Sequence, residues 1–354
     1  MAARRFRQLV ATAVGVAAAG LAAAPPAQAG SVLLVGEGQS IQAAVDRAEA
    51  GDTVLVLPGT YRESVRLTVS GVTLRGSGER TVLTPAAVPA GSACAEAGHG
   101  ICVTGTADRA VADVTVESLA LSGFPKDAVA ATGTDRLSVR FVLGRESGRY
   151  GISVEKSTRT RLSGNRLRDN AQAGAFLANR TDAEGGALDT GGAMISGNDL
   201  SGNRIGFVAR RVRDLTVENN TMTGNCAGVF VVGDEGTPRA GALRIRLNKV
   251  VANNRFCPAN SRLPFIQGSG IVLTGVEDTT VELNTITDNA GTSPMSGGVV
   301  LFPSFAGGPN SGNTVRDNTV VRNGPADLAD RDTAGRGNAF DGNRCLLSAP
   351  AGRC

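Results

Sequence analysis

One short phrase recurs seven times along this 354-residue chain: an asparagine, any residue, an apolar residue, two further residues and a second asparagine. The copies begin at Asn165, Asn198, Asn220, Asn248, Asn284, Asn318 and Asn338. In five of them an apolar run opened by glycine follows, at Gly174, Gly206, Gly228, Gly270 and Gly298. Self-similarity at a period of about twenty residues indicates one supersecondary unit stacked on itself, which is a solenoid.

Each unit is interpreted as three short strands bent around an apolar core. The glycine-opened run is one strand, the segment that ends at the first asparagine is the second, and the apolar residue inside the motif begins the third. Stacked strands lie about 4.8 Å apart, so identical side chains form ladders. Asparagine suits the turns because it tolerates left-handed backbone and because its amide can bond to the next asparagine. We therefore expect asparagine ladders at the corners of the coil.

The two ends of the chain carry signals of their own. Residues 1–29 have a basic start, an apolar stretch and a small-x-small cleavage site, which predicts a signal peptide and a secreted protein without a membrane anchor. Residues 30–354 are then one domain. Ser40 as N-cap and Gly51 as C′ residue predict a helix over 41–50 that covers the open end of the solenoid. Residues 345–354 form a tail bracketed by cysteines.

Charge and cysteine content narrow the function classes. The net charge is +4, and the predicted signal peptide supplies three of these charges, so nucleic acid or an anionic membrane is not an expected partner. We expect a monomer. Six cysteines fit an oxidising compartment, and their spacing predicts three local disulfides rather than a metal site. The predicted pairs are Cys94 with Cys102, Cys226 with Cys257, and Cys345 with Cys354.

The chain resembles a known group of proteins over residues 38–354. The resemblance is carried by the asparagine repeats and by four segments: the opening QSIQAAVDRAEAGDTVLVLPGTYRESV, GNCAGVFV, NNRFCPAN and the ending GNRCLLSAPAGRC. In these features the chain is similar to secreted, actinomycete-type right-handed parallel β-helix repeat proteins of the pectate-lyase-like superfold. The resemblance implies an all-β solenoid of three sheets and roughly ten coils. That superfold hosts lyases, hydrolases, epimerases, esterases and adhesins, so the fold alone does not give the function.

In this superfold, substrates usually lie along the first sheet, which here is the sheet of glycine-opened runs. Residues two and four after each glycine are expected to point outward. These outward pairs are mostly apolar: Ser153 and Glu155, Phe176 and Ala178, Val208 and Arg210, Phe230 and Val232, Val272 and Thr274, Val300 and Phe302. This stripe is either covered by inserted loops or forms a groove for a polymer or a partner. The inserted loops are 180–190, 233–241, 257–268 and 303–312.

Charged residues near the start of that sheet are the candidate catalytic group. Uronate lyases of the fold use an arginine base, and the cluster Arg145, Glu146, Arg149 and Tyr150 precedes Glu155, with Arg210 one or two coils away. The alternative is a solvated turn. Asp182, Glu184 and Asp189 form a possible calcium site, as do Asp234 and Glu235; the alternative, which the residues favour, is that these acids simply keep the loops soluble. The single histidine, His99, is expected to be a surface residue.

Three hypotheses for function follow. The first is a protein that binds, and weakly processes as a lyase or hydrolase, extracellular acidic polysaccharide. The second is a non-catalytic extracellular module that uses the apolar face; scarcity of tyrosine and absence of tryptophan argue against tight neutral-glycan binding. The third is a copper-linked maturation factor, because the repeats also resemble the β-helix domain named after the nitrous oxide reductase maturation protein. Copper needs soft or imidazole ligands, and the chain has one histidine and four methionines.

Overall fold

Three long parallel sheets wind around one apolar core in the computed structural model of the protein. The structure describes residues 30–88, 91–106, 108–179, 185–261 and 263–354. The predicted signal peptide, and Asp182 and Glu184 of the predicted calcium site, lie outside these ranges. Within them, the coils between the two ends of the stack pass through the three sheets in the same order, and neighbouring strands in each sheet are parallel. The predicted right-handed parallel β-helix is confirmed.

Sheet 1 contains the glycine-opened runs. Its strands are Val65–Leu67, Ile101–Thr104, Val129–Thr132, Tyr150–Glu155, Ala173–Ala178, Ile205–Arg210, Ala227–Val232, Ser269–Thr274, Gly297–Phe302, Leu328–Asp330 and Ser348–Ala349.

Sheet 2 follows sheet 1 in each coil. Its strands are Val32–Val35, Thr53–Val56, Thr73–Arg75, Thr115–Glu117, Ser138–Arg140, Arg161–Ser163, Leu188–Ser196, Val212–Glu218, Gly241–Arg246, Thr280–Glu282, Thr314–Arg316 and Ala339–Asp341. A separate pair of strands, Val111–Ala112 and Thr134–Asp135, lies outside the three sheets.

Sheet 3 closes the coil. Its strands are Gly59–Arg62, Thr81–Thr84, Ala120–Ser122, Leu143–Arg145, Arg166–Arg168, Asp199–Ser201, Thr221–Thr223, Lys249–Val251, Thr285–Thr287 and Thr319–Val321.

Helical structure in the described residues is confined to short segments. The predicted capping helix spans Ile41–Val45, shorter than 41–50, and strand Val32–Val35 precedes it, which the sequence did not suggest. Ser40 is the N-cap as predicted and accepts a hydrogen bond from the backbone N–H of Ala43 at 3.2 Å. The other helical segments are Ala93–Glu96 and the 3-10 turn Gly78–Arg80. No helix among the described residues has the length and apolar character needed to cross a membrane.

The glycine that opens each sheet 1 run is required by close approach between coils. A Cβ on Gly270 would lie 2.2 Å from the carbonyl oxygen of Gly298, and one on Gly228 would lie 2.4 Å from a methyl of Val250. Both distances are far below van der Waals contact. The repeated glycines therefore allow successive coils to stack closely at this position.

Two columns of buried asparagines line the corners on either side of sheet 3. In each column the side-chain N–H of one asparagine donates to the Oδ1 of the next, at 2.8–3.3 Å. The first column is Asn165, Asn198, Asn220, Asn248, Asn284, Asn318 and Asn343. The second is Asn170, Asn203, Asn225, Asn253, Asn289 and Asn323, and it ends on the carboxylate of Asp327. The predicted ladders are confirmed.

Two details of the repeat differ from expectation. The seventh motif copy is one corner out of register: Asn338 bonds to Asn313, and Asn343 continues the first column above Asn318. Any three-residue strand between two asparagine corners matches the motif, so the pattern cannot distinguish sheet 2 from sheet 3. In addition, the left-handed backbone lies mostly on the residue before each ladder asparagine, for example Asp169 and Asp288.

All three predicted disulfides are present. Cys94 bonds to Cys102, Cys226 to Cys257 and Cys345 to Cys354, which uses all six cysteines of the chain. Such a set is typical of a protein that resides outside the reducing cytoplasm.

Candidate ligand-binding groove

The outer face of sheet 1 carries a second apolar layer. As predicted, residues such as Phe207 and Val229 point into the core, while Phe176, Val208 and Phe230 point outward. The outward residues stack in register from coil to coil. They pack with residues from outside the sheet, including Ile266 and Met295, into a cluster separate from the core.

Two of the four predicted covering loops lie over this layer. Loop 257–268 contributes Cys257, Leu263 and Ile266, and loop 303–312 contributes Phe305, which packs against Phe302. The described parts of loops 180–190 and 233–241 pack instead on each other, for example through the hydrogen bond from Ala187 N–H to the Pro238 carbonyl. Loops therefore cover part of the outer face of sheet 1, and another part of that face borders a groove.

Between these loops and the sheet runs a groove of about 400 Å³. At one end the ring of Tyr150 stacks flat on Phe176, with 4.6 Å between centroids. Farther along the chain, Val272 and Val300 are fully covered. The groove is lined by Tyr150, Gln172, Ala173, Phe176, Ile205, Val208, Arg210, Phe230, Val232, Asn260, Leu263, Phe305 and Ala306.

A buried polar cluster lies at the Tyr150 end of the groove. The carboxylate of Asp127, fully buried, accepts hydrogen bonds from Arg149 Nε at 2.7 Å and Arg149 Nη2 at 2.5 Å. It also accepts from the Ser153 hydroxyl at 2.6 Å and from the Tyr150 backbone N–H at 3.2 Å. The guanidinium of Arg149 lies 4.8 Å from the centre of the Tyr150 ring. Asp127 thus holds Arg149 in one orientation beside the groove.

His99 belongs to this cluster, so its predicted place at the surface is wrong. Its side chain is only 13 % exposed, and Nδ1 lies 3.4 Å from Asp127 Oδ2. The backbone N–H of Asp127 also lies 3.3 Å from Nδ1 and can donate to it when the ring is neutral and carries its proton on Nε2. Burial, assisted by the charges of Arg149 and Lys126, outweighs the effect of Asp127 and lowers the pKa of His99 from its ordinary value.

Arg149 is not suited to acting as a base. Its hydrogen bonds to Asp127 outweigh burial and raise its pKa above the ordinary value, and Glu155 adds to the same effect. A guanidinium whose pKa is raised stays protonated and does not accept a proton from a substrate. The predicted role of an arginine base therefore does not fit Arg149.

The structure separates the other predicted catalytic residues. Arg145 ends a strand of sheet 3 beside Arg168, and Glu146 lies in the following turn, where it accepts a hydrogen bond from Ser122 at 2.9 Å. Both belong to the neighbouring corner rather than to sheet 1, because the chain still has to turn before Tyr150. Glu155 and Arg210 do share one row of sheet 1, but they are two coils apart with Ala178 between them.

Sequence reasoning missed Asp127 and its bonds to Ser153 and His99. The coil that contains Asp127 has neither the glycine-opened run nor the asparagine motif, so its register could not be aligned. Ser153 was placed outward, and that assignment is correct. The only available signal was the acid Asp127, which lies one coil before Arg149.

The predicted calcium residues are only partly described. Asp189 is exposed in strand Leu188–Ser196 and accepts a hydrogen bond from the Gly191 backbone N–H. Asp234 is buried and paired with Arg211, so its charge is already compensated and it does not suit a calcium ion. Calcium at Asp182, Glu184 and Asp189 remains a prediction.

Comparison with known proteins is consistent with the fold and identifies a family. Residues 182–345 match the model described as right handed beta helix region, which places the chain in that structural class. Residues 51–238, more than half of the chain, match the model described as periplasmic copper-binding protein (NosD), and the chain belongs to this family. No curated protein sequence matches.

Solved structures of low identity share the fold. DFA-IIIase from Arthrobacter chlorophenolicus A6, in complex with DFA-III, is 15 % identical with a TM-score of 0.59; the match covers 86 % of this chain and 79 % of the other. A periplasmic alginate epimerase, AlgG, is 13 % identical with a TM-score of 0.61, covering 89 % and 71 %. At these identities the similarity concerns the fold alone.

The residues present do not fit a copper site. Among the described residues, no group of three or more histidine, cysteine, aspartate or glutamate side chains could hold a metal ion. All six cysteines are oxidised, and His99 is engaged with Asp127. Met222 and Met295 are buried in apolar clusters. Family membership therefore does not bring a recognisable set of copper ligands with it.

Proposed function

We propose that the protein is a secreted binding module that holds a polysaccharide chain in the groove on sheet 1. The observation that carries this proposal is the groove itself: an apolar floor of Phe176, Val208 and Phe230 with a few polar groups at its edges. This combination is typical of ligand sites. The named ligands of the structural neighbours, DFA-III and alginate, support the view that the fold accommodates carbohydrate.

Binding is favoured over processing. The described residues that line the groove include Arg210 but no carboxylate. Glycoside hydrolysis generally requires two carboxylates that flank the scissile bond. Asp127, the nearest buried acid of the polar cluster, is fully enclosed and already accepts four hydrogen bonds. A substrate could not reach it without dismantling the cluster.

Calorimetric titration of the mature protein with neutral and uronate oligosaccharides tests the proposal, with calcium and again with a chelator to test the proposed calcium site. We expect saturable binding that Phe176→Ala weakens and that Arg244→Gln, on the exposed face of sheet 2, leaves unchanged. Absorbance of unsaturated products and reducing ends are followed in parallel. Absence of binding across the panel would refute the module; product formation that is lost in Arg149→Gln or Arg210→Gln would make it an enzyme.

The predicted signal peptide and the three disulfides support the proposal that the protein is secreted. Expression of the full chain should yield a processed protein, beginning at Gly30, outside the cytoplasm. Retention of an unprocessed, reduced chain in the cytoplasm would contradict this part of the proposal.

A further inference from the structure

A second cavity lies at the N-terminal end of the coil. Its volume is about 490 Å³, larger than that of the groove on sheet 1. It lies between the capping helix, strand Gly59–Arg62 and the loop that carries Cys94, with Pro85, Ala95 and Phe124 among its apolar lining. This cavity is separate from the groove and from every predicted site.

The walls of the N-terminal cavity are fixed by bonds within the protein. The carboxylate of Glu63 accepts hydrogen bonds from the backbone N–H groups of Ile41 at 2.7 Å and Gln42 at 3.1 Å, which attaches the capping helix to the end of the neighbouring strand. The disulfide between Cys94 and Cys102 ties the loop to sheet 1. The cavity is therefore preformed, as ligand sites usually are.

Polar side chains of the cavity are left for a ligand. The hydroxyls of Thr60 and Ser64 and the guanidinium of Arg62 line it and have no hydrogen-bond partner among the described residues. A hydroxyl can donate and accept, and a guanidinium donates through several N–H groups. Sugar hydroxyls also donate and accept, so these three side chains are of the types that bind a sugar.

The cavity and the groove lie on the same corner of the coil, between sheets 3 and 1. Phe124 and Pro125 line the cavity in the turn before strand Val129–Thr132, and Tyr150, which lines the groove, begins the next strand of sheet 1. The two sites therefore occupy consecutive coils. Together they extend from strand Val65–Leu67 to strand Ala227–Val232, six inter-strand steps of about 4.8 Å each, or about 29 Å.

A backbone ladder runs along this corner from the cavity to the groove. The N–H of Lys126 donates to the carbonyl of Gly98 at 2.8 Å, that of Arg149 to Lys126 at 2.9 Å, and that of Gln172 to Arg149 at 2.8 Å. Gly98 lines the cavity and Gln172 lines the groove. Between them, Lys126 is exposed and the side chain of Arg149 is 37 % exposed. A chain that leaves the groove along this corner meets these two side chains and then the cavity.

We propose that the N-terminal cavity is a second subsite for the same polysaccharide, so that one chain lies along this corner and occupies cavity and groove together. The proposal rests on the proposed function of the groove. It adds that the ligand is a polymer bound along its length, because only a chain that spans several coils reaches both sites.

Calorimetric titration with oligomers of alginate, galacturonan and a β-1,4-glucan, from disaccharide to decasaccharide, tests the proposal. Oligomers that reach both sites should bind the wild type about 100-fold more tightly than those that fill the groove alone, because the second contact is then intramolecular. Ala95→Trp fills the cavity and should abolish this gain. Ala93→Trp, at an exposed position of the same short helix, is the matched control and should keep it.

Short oligomers report on the fold of the variants, since they should bind all three proteins alike. If Ala95→Trp also loses short oligomers, Arg62→Ala replaces it: Arg62 is exposed, and its removal should lower only the affinity for long oligomers, by about 10-fold. An affinity that does not rise with length, or a gain that survives filling of the cavity, would overturn the inference and leave the groove as a binding site. Absence of binding at every length would refute the proposed function and this inference with it.

Discussion

The outer faces of sheets 1 and 2 belong to the same coils but have opposite chemistry. One row of sheet 2 alternates in charge over much of its length: Arg75, Glu117, Arg140, then after two serines Glu218, Arg246, Glu282 and Arg316. The corresponding row of sheet 1 contains phenylalanine and valine and is covered by loops. The inner core is alike behind both faces, so the winding of the coil permits either kind of outer face. Within the described residues, only on sheet 1 do loops pack on the outer face and leave a groove beside it.

The largest expected effect is a loss of stability on truncating a side chain in the outer apolar layer of sheet 1. Phe230 is buried in that layer, and Phe230→Ala should lower the free energy of unfolding by about 3–5 kcal/mol, as for a core phenylalanine. Thr216→Ala, outward on sheet 2, should change it by less than about 0.5 kcal/mol. Chemical denaturation measures both. Similar small effects at the two sites would mean that the loops do not pack on sheet 1.

A smaller effect is expected from breaking the charged row of sheet 2. Burial would raise the pKa of Glu117, but hydrogen bonds from Arg140 and Arg75 outweigh it and hold the pKa below its ordinary value. A carboxyl whose pKa is lower in the folded state stabilises the protein above its unfolded pKa of about 4.3, and this stabilisation disappears as pH falls through the folded value.

Glu117→Gln should therefore cost about 1–2 kcal/mol at pH 7 and progressively less below pH 4. Glu146→Gln, at an exposed corner, is the control. Denaturation curves at several pH values measure the difference from wild type. A difference that does not change between pH 7 and pH 3 would show that the charge of Glu117 contributes nothing.

The polar end of the sheet 1 groove should respond to pH in a different range. Because His99 has a lowered pKa, its contribution to stability is complete above the unfolded value of 6.5 and is lost as pH falls from there to the folded value. His99 is the only histidine, so its NMR titration is unambiguous. The measured pKa should lie below 6.5, and Arg149→Gln should raise it by removing a nearby cation. A value above 6.5 in the wild type would contradict this expectation, because it would mean that the charge of Asp127 outweighs burial.

Neither face of the described structure provides copper ligands, so we expect the smallest effect when copper is added to the protein. Titration of the mature protein with Cu(II), and with Cu(I) under anaerobic conditions, should show no saturable binding at micromolar concentration. A stoichiometric complex that is lost in His99→Gln would reverse this conclusion and connect the polar cluster to the family description.

The sequence predicted the parts of the molecule that repeat. Glycine runs set the register of sheet 1 from Ala173 to Phe302, so the outward stripe could be placed. The asparagine repeats put Cys226 and Cys257 on adjacent coils, so their disulfide could be predicted. Coils before Tyr150 lack the glycine runs, and Asp127 with His99 was therefore missed. How loop 257–268 folds back onto the corner could not be predicted either, because no local pattern encodes it.

The asparagine columns have a direction as well as a length. From Asn170 to Asn323, each amide of the second column donates one N–H to the side-chain oxygen of the next member toward the C-terminus and its other N–H to a backbone carbonyl of the preceding coil. Because the side-chain oxygens all accept from the N-terminal side, the amide dipoles are aligned, as peptide dipoles are in a helix. The positive end of the second column meets Asp327, a buried carboxylate that accepts both the backbone and the side-chain N–H of Asn323. The second asparagine column therefore has a net dipole, and the carboxylate of Asp327 ends the column at its positive end. Whole coils could be inserted between Asn203 and Asn323 without disturbing it, whereas any coil added beyond Asp327 would have to begin a new column.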